Sequence, residues 1–182
     1  MIHKKPRILS RKIIYTSPWM NLIEKEVDSV SGKGIEYFYC LKQEAYVGIM
    51  AQTAEGLIPI VRQYRPCVED YTWEFPAGTL AKGETAENAA RRELLEEAGL
   101  EAIELKYLGN FYPDTGRLQL HSHAFFARTT SVNRQFSPEE GMEVSYISLK
   151  DLRRMMLDGS FRHQLHWAIY ASVILRGIKL ED

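Results

Sequence analysis

Cysteine is scarce in this chain: Cys40 and Cys67 are the only two in 182 residues. They are too few for a disulfide framework, and they show neither paired zinc spacing nor a Cys-x-x-Cys motif. Reduced thiols and a cytoplasmic setting are therefore expected. Long apolar runs are missing as well. No stretch approaches the roughly 18 apolar residues of a membrane helix, and the basic segment Met1 to Ser10 is not followed by the apolar run of a secretory leader. Neither a membrane span nor a membrane partner is expected. The third absence is an excess of positive charge. With 23 Lys and Arg against 24 Asp and Glu, the net charge is −1, which provides no field to gather nucleic acid or an anionic membrane. A small-molecule partner fits better.

What is present suits one globular domain, or one domain with a short extension: 45% of the residues are hydrophobic and 26% charged, with no internal repeat or low-complexity linker. Between Lys12 and Leu41, β-rich runs such as Ile23 to Val27 and Tyr37 to Tyr39 flank a turn at Ser31-Gly-Lys-Gly34, which predicts a hairpin or small sheet. Ala45 to Met50 and Leu57 to Gln63 read as a second strand pair, with Pro59 marking a bulge or an edge. A helix is predicted from Thr85, a capping residue, to Ala98, stopped by Gly99-Leu100. Ile103 to Leu108, His123 to Ala127 and Val144 to Leu149 read as strands, and Asp151 to Leu157 and Ser160 to Leu175 as helices. Phe161, Leu165, Ala168, Ile169 and Val173 have the spacing of ordinary helical core. The fold class is accordingly α/β or α+β, a sheet covered by helices.

The chemistry lies in the first helix. At about 100° per residue, Glu93, Glu96 and Glu97 fall within one arc of the helix surface. Like charges at this spacing repel, and Glu96 and Glu97 also stand near the negative end of the helix dipole. One reading is a solvated acidic face. The other is a site for hard divalent cations, Mg²⁺ or Mn²⁺, whose oxygen ligands these carboxylates would be. Arg92 reaches Glu96 at i+4 but cannot neutralise three acids. Gly78 and Gly83 bracket the loop entering the helix, and Ala86, Ala89 and Ala90 keep its first turns slim, so backbone groups, including the Ala77 carbonyl, could approach a ligand.

Gly78, Glu84, Arg92-Glu93-Leu94, Glu96-Glu97 and Gly99-Leu100 match every specified position of the Nudix signature, and the chain resembles the Nudix hydrolase superfamily. The resemblance implies an α/β/α sandwich with a mixed sheet over residues 45–182, preceded by an antiparallel strand extension over residues 1–44. Carried over by position, it makes Glu93 and Glu97 metal ligands together with the Ala77 carbonyl. Glu96 becomes a ligand or part of the water-activating network, Arg92 the residue that orients the glutamates, and Glu84 an accessory ligand.

Over roughly residues 15 to 150 the likeness narrows to the ADP-ribose pyrophosphatase branch, on Arg62-Gln-Tyr-Arg65-Pro66, Trp73-Glu-Phe-Pro-Ala-Gly78 and Tyr112-Pro113-Asp-Thr-Gly116. It implies that Arg65 contacts phosphate, that Glu74 and Gly78 line the substrate pocket, and that Glu140, in the loop Glu140-Gly-Met-Glu143-Val144, serves the attacking water, with Glu139 and Glu143 as neighbours of similar pattern. It also implies a homodimer through the N-terminal strands, sharing an adenosine pocket; the aromatic stretch Tyr37-Phe-Tyr39 and Trp19 could stack the base, and core or interface packing is the other reading of these aromatics. Pro113 stands nearer the signature than in the family pattern, and Gln119-Leu120 replaces an acid, so a broad nucleoside diphosphate sugar preference is as compatible as strict ADP-ribose use. His121 and His123 alternate on one stretch, but a hard cation prefers oxygen and the bland reading is satisfied strand histidines. Metal-dependent cleavage of a nucleotide sugar is the reading adopted. Its alternatives are a nucleoside triphosphate or dinucleoside polyphosphate pyrophosphohydrolase and a non-catalytic ADP-ribose sensor.

Overall fold

Alternation of side chains across each strand decides where every layer of this protein packs. A computed structural model describes residues 5–29 and 34–181. They divide into two units, Met1–Ala45 with Tyr112–His121, and Tyr46–Phe111 with Ser122–Asp182.

In the first unit β1 (Arg7–Thr16), β2 (Asn21–Asp28) and β3 (Ile35–Lys42) form an antiparallel meander, and the two-residue β9 (Leu118–Gln119) joins β3 in parallel. Strand β1 begins five residues before the expected Lys12, because Arg7 already pairs with Asp28 across the ladder. The expected turn at residues 31–33 lies outside the described residues. Ile23 and Val27 are buried on one face of β2. On β3, Tyr39 lies opposite Glu24 and Tyr37 opposite Glu26, and each hydroxyl donates to the facing carboxylate, at 2.9 and 3.3 Å. Cross-strand pairs of this kind stabilise a sheet by about 0.2–1 kcal/mol each. Ile13, Trp19, Ile35, Tyr37 and Phe38 nonetheless remain exposed.

The second unit holds two sheets. In the mixed sheet, β4 (Tyr46–Gln52) pairs in parallel with β10 (Ser122–Thr129), while β7 (Ala77–Thr79) and β8 (Ala102–Phe111) flank this pair antiparallel. In the other sheet β5 (Ile58–Arg65) lies between β11 (Met142–Ile147) and β6 (Asp70–Glu74). Val47, Ile49 and Ala51 of β4, with Phe125 and Ala127 of β10, meet Ala89, Ala90, Leu94 and Ala98 of helix α1 (Ala86–Ala98). The alternate residues Met50, Ala124 and Phe126 pack with Leu152 and Met156 of α2 (Leu149–Leu157) and with Ile169 and Val173 of α3 (Gln164–Leu175). Helices thus cover both faces of the mixed sheet, which is why its central strands are continuously buried rather than alternating in polarity. This is the α/β/α sandwich that the resemblance implied. Ala89, Ala90 and Ala98 of α1 are fully buried against this sheet, with Ala86 partly so, so their role is to bring the helix close to the sheet.

Several boundaries differ from expectation for identifiable reasons. Pro59 forms no bulge: β11 pairs it in unbroken register, and β6 begins pairing only at Val61, so Pro59 needs no amide donor on that side. The strand expected to run to Leu149 stops at Ile147, because Ser148 caps α2, accepting from the Asp151 amide at 3.0 Å while its hydroxyl donates to the Asp151 carboxylate at 2.7 Å. Helix α3 starts at Gln164, not Ser160; Phe161 precedes it as a fully buried anchor whose carbonyl accepts from the Trp167 indole at 2.8 Å. Thr85 caps α1 as expected, and Gly99 ends it at φ 59° with its amide on Leu95, where a side chain would also strike Phe136.

Candidate active site

Helix α1 presents its acids at three depths. Glu93 is buried, Glu97 half-buried and Glu96 exposed. Burial of Glu93 depends on Gly78 of β7: a Cβ there would lie 2.1 Å from the Glu93 carboxylate, so only glycine lets the strand and the acid pack. Gly78 was expected as a substrate contact; the contact it makes here is with this carboxylate.

Arg92 lies at the centre of the cluster. Its Nε and Nη2 donate to the two oxygens of Glu84, both at 2.9 Å, and its Nη1 donates to Glu93 at 2.7 Å and to Glu96 at 2.9 Å. Nη2 also reaches the Thr79 carbonyl at 3.2 Å. One guanidinium therefore ties the strand, the entry loop and the helix together, and the geometry uses Glu84 as its main partner. Beside it the Glu84 carboxyl is held down to about 2.

Glu97 gains nothing from Arg92. It accepts instead from the Ala77 amide at 2.8 Å, so the N–H of Ala77, whose carbonyl is the group expected at a metal, engages the cluster. Burial raises the Glu97 carboxyl to about 7, with the Glu93 charge adding to the rise and the Ala77 amide opposing it. Burial raises Glu93 too, against the pull of Arg92. Three of the four carboxylates thus share one guanidinium while the fourth accepts from a backbone amide, and this hard-oxygen set with excess negative charge fits divalent cations.

Arg65 and Glu74 form a second polar pair, on the same face of β5 and β6. Arg65 Nε and Nη2 donate to the Glu74 oxygens at 2.8 and 2.6 Å, and Thr72 adds a hydroxyl donor. Glu74 is fully buried. Burial alone would raise its carboxyl, but the bonds from Arg65 and Thr72 outweigh that and hold it at about 2. The pair therefore stabilises the fold above about pH 4.5, and the contribution is lost as pH falls toward 2. Both residues had been expected at substrate; Glu74 accepts from Arg65 and Thr72, whereas among the described residues Arg65 Nη1 makes no hydrogen bond.

Other candidates make none of the hydrogen bonds of this cluster. Glu140 is exposed in the turn before β11, where the Met142 amide bonds the Glu139 carbonyl, and among the described residues no hydrogen bond or ion pair holds its carboxylate. Its neighbour Glu143 pairs with Arg62 at 3.3 Å. Tyr37 belongs to the other unit. His121 precedes β10 and packs on Tyr112, whereas His123 lies within the strand, 3.1 Å from the Tyr107 hydroxyl.

One group of polar residues escaped sequence reading. Glu74, His163 and His166 place ligand-type atoms within 4.8 Å of one another. A metal does not fit them. The Phe75 amide donates to His166 Nδ1 at 2.8 Å, so in the neutral ring Nε2 carries the proton, facing the Tyr46 hydroxyl at 3.4 Å. No lone pair of His166 is left for a cation, and the Glu74 carboxylate is already committed to Arg65 and Thr72. Burial, then the neighbouring His163, lowers His166 to about 3 and keeps it neutral.

The chain belongs to the NUDIX domain family, whose model matches residues 42–168. It is 31% identical over 153 residues to an ADP-ribose pyrophosphatase of Bacillus subtilis (strain 168), covering 82% of each chain. A methanol dehydrogenase activator of Bacillus methanolicus is 32% identical over 126 residues, 69% of this chain and 65% of that one. The fold matches a crystal structure of an ADP compounds hydrolase with TM-score 0.77 at 19% identity, over 96% of both chains. Among the described residues no helix is long and apolar enough to cross a membrane.

The elevated Glu97 value has a stability consequence. The folded protein holds this proton more tightly than the unfolded chain, whose carboxyl titrates near 4.5, so Glu97 weakens the fold as pH rises from 4.5 through 7. In chelator, Glu97→Gln, which keeps an acceptor for Ala77, is expected to be more stable than the native chain at pH 8, by up to about 3 kcal/mol. The gap should close by pH 4.5. Urea unfolding at both pH values measures it, and equal midpoints at pH 8 would contradict the electrostatic account.

Proposed function

We propose that this protein is a pyrophosphatase that hydrolyses ADP-ribose or a related nucleoside diphosphate sugar to a nucleoside monophosphate and a sugar phosphate, with Mg²⁺ or Mn²⁺. The observation that carries the reading is the acidic cluster itself, in which Glu84, Glu93 and Glu96 share Arg92 while Glu97, among the described residues, makes no ion pair and accepts from the Ala77 amide. Similarity to an ADP-ribose pyrophosphatase over most of both chains supports the substrate class.

In this reading Glu93, Glu96 and Glu97 hold the cations with the backbone at Ala77, and Arg92 holds the glutamates in place. Bound there, divalent cations supply charge to offset that of the diphosphate and polarise its phosphorus. Arg65 offers Nη1 to a phosphate oxygen while Glu74 keeps its plane fixed. Glu140 positions the attacking water and takes its proton; the new oxygen–phosphorus bond forms as the bond to the bridging oxygen breaks. Exposure of Glu140 and the positive φ of Gly141, 86°, suit a loop that moves on substrate binding. The exposed apolar residues of β1 and β3 support a homodimer through these strands, and Tyr37 is exposed for base stacking.

Assayed against ADP-ribose, other nucleotide sugars and nucleoside triphosphates, the protein should release a monophosphate and a sugar phosphate from the sugars fastest, and chelator should abolish the reaction. Faster attack on triphosphates would favour the alternative hydrolase, and tight ADP-ribose binding without turnover would favour a sensor. Glu140→Gln should lower kcat by about 10²–10⁴ with substrate Kd nearly unchanged; normal turnover in it, with the loss in Glu143→Gln or Glu96→Gln, would reassign the base. Sedimentation should find a dimer, and removal of residues 1–41 should give a monomer with weakened sugar-nucleotide affinity. A fully active monomer would refute the dimer.

A further inference from the structure

Helix α3 lies outside the signature, yet its buried stripe contains one polar residue. Leu165, His166, Ile169 and Val173 face inward at helical spacing, and a fully buried histidine among aliphatics needs a reason, since an unpaired polar group there costs about 1–3 kcal/mol. The reason lies in the segment Glu74-Phe75-Pro76-Ala77-Gly78. His166 Nδ1 accepts the Phe75 amide at 2.8 Å. On either side of that peptide the chain is also held: the Glu74 carboxylate by Arg65, the Pro76 carbonyl by the Ile49 amide at 2.9 Å, and the Ala77 amide by Glu97 at 2.8 Å. The Phe75 ring stacks on the imidazole, 11° from parallel with centroids 5.6 Å apart. A Cβ at Gly48 would lie 2.6 Å from Ile169 Cδ1 and in ordinary contact with the imidazole, so β4 and α3 meet closely here. His166 thus stands two residues of backbone from the amide that orients the uncompensated carboxylate.

We infer that His166 is a positioning residue for the metal site: with Nδ1 fixed as an acceptor, it locks the Phe75 peptide and so sets the Ala77 amide, which aims Glu97. The operative feature is an acceptor at the Nδ1 position, not the ring's charge and not metal ligation. Tyr46, facing Nε2, holds the matching tautomer. This inference rests on the acidic cluster being the cation site, as proposed above.

Two readouts test it on the full-length protein. Long-range ¹H–¹⁵N spectra at neutral pH should show His166 as the Nε2–H tautomer; an Nδ1–H ring would overturn the proposal. The second is Mn²⁺ affinity by electron paramagnetic resonance without substrate, alongside kcat and KM. His166→Leu removes the acceptor and should weaken Mn²⁺ binding and lower kcat by about 10- to 100-fold, the range for outer groups that orient a ligand, with KM little changed. His166→Asn, whose Oδ1 occupies the Nδ1 position, should stay within about threefold of the native chain, and Val173→Ala, a comparable core loss on the same helix, should change neither quantity. Equal losses in the Leu and Asn variants, or none in Leu, would overturn the inference. Should His166→Leu fail to fold, His166→Gln replaces it: its amide reaches the Nε2 position, so it should behave as Leu does here, and parity with Asn would refute the proposal. If the native chain cleaves no nucleotide sugar, the function reading fails while the Mn²⁺ comparison still decides this one.

Discussion

The sharing of Arg92 among three carboxylates is the interaction on which the site depends. A guanidinium is a planar fork of donors, and here every nitrogen is used: toward Glu84 in the entry loop, toward Glu93 and Glu96 on α1, and toward the Thr79 carbonyl at the end of β7. These partners come from three consecutive pieces of chain. Holding them together without a metal requires a residue that is always charged and has more than three donors, which lysine is not. Glu97 is left with an amide for a partner, and its burial, with the Glu93 charge added, is what holds its proton.

A second constraint runs through the backbone between β6 and β7. Glu74 is a buried charge, tolerable because Arg65 and Thr72 satisfy it; such a pair adds little net stability over an apolar replacement, yet loss of one partner strands the other, at a cost of roughly 3–5 kcal/mol when fully buried and less here, since Arg65 is partly exposed. What the pair provides is a fixed origin for the residues that follow. From there Phe75 is pinned on His166, Ala77 on Glu97, and Gly78 against Glu93. The loop is rigid at each peptide that faces the cluster, and preorganisation of this kind is what a charge-stabilising site requires.

Much of this was legible along the chain. The helix and both its ends followed from Thr85, the alanine and leucine pattern, and Gly99. The two-sided burial of β4 and β10 followed less clearly, since a short apolar run reads alike in a strand or a buried helix segment. Boundaries failed where a cap or an isolated anchor outweighed periodicity: Ser148 with Asp151 ends β11 early, and Phe161 is core without being helical. His166 was passed over because one histidine in an apolar stripe carries no periodic signal, and its partner is a backbone amide 91 residues away.

The family and the spacing of the acids can be read along the chain alone, because a helix turns a run of fixed intervals into a face without help from the rest of the protein. Tertiary structure alone decided how that face is divided. It committed Arg92 to Glu84, buried Glu93 on the one residue without a side chain, turned the Ala77 amide toward Glu97 and set His166 behind Phe75. Each of these is a contact between elements distant in the chain or a consequence of depth, and neither distance nor depth is encoded in spacing.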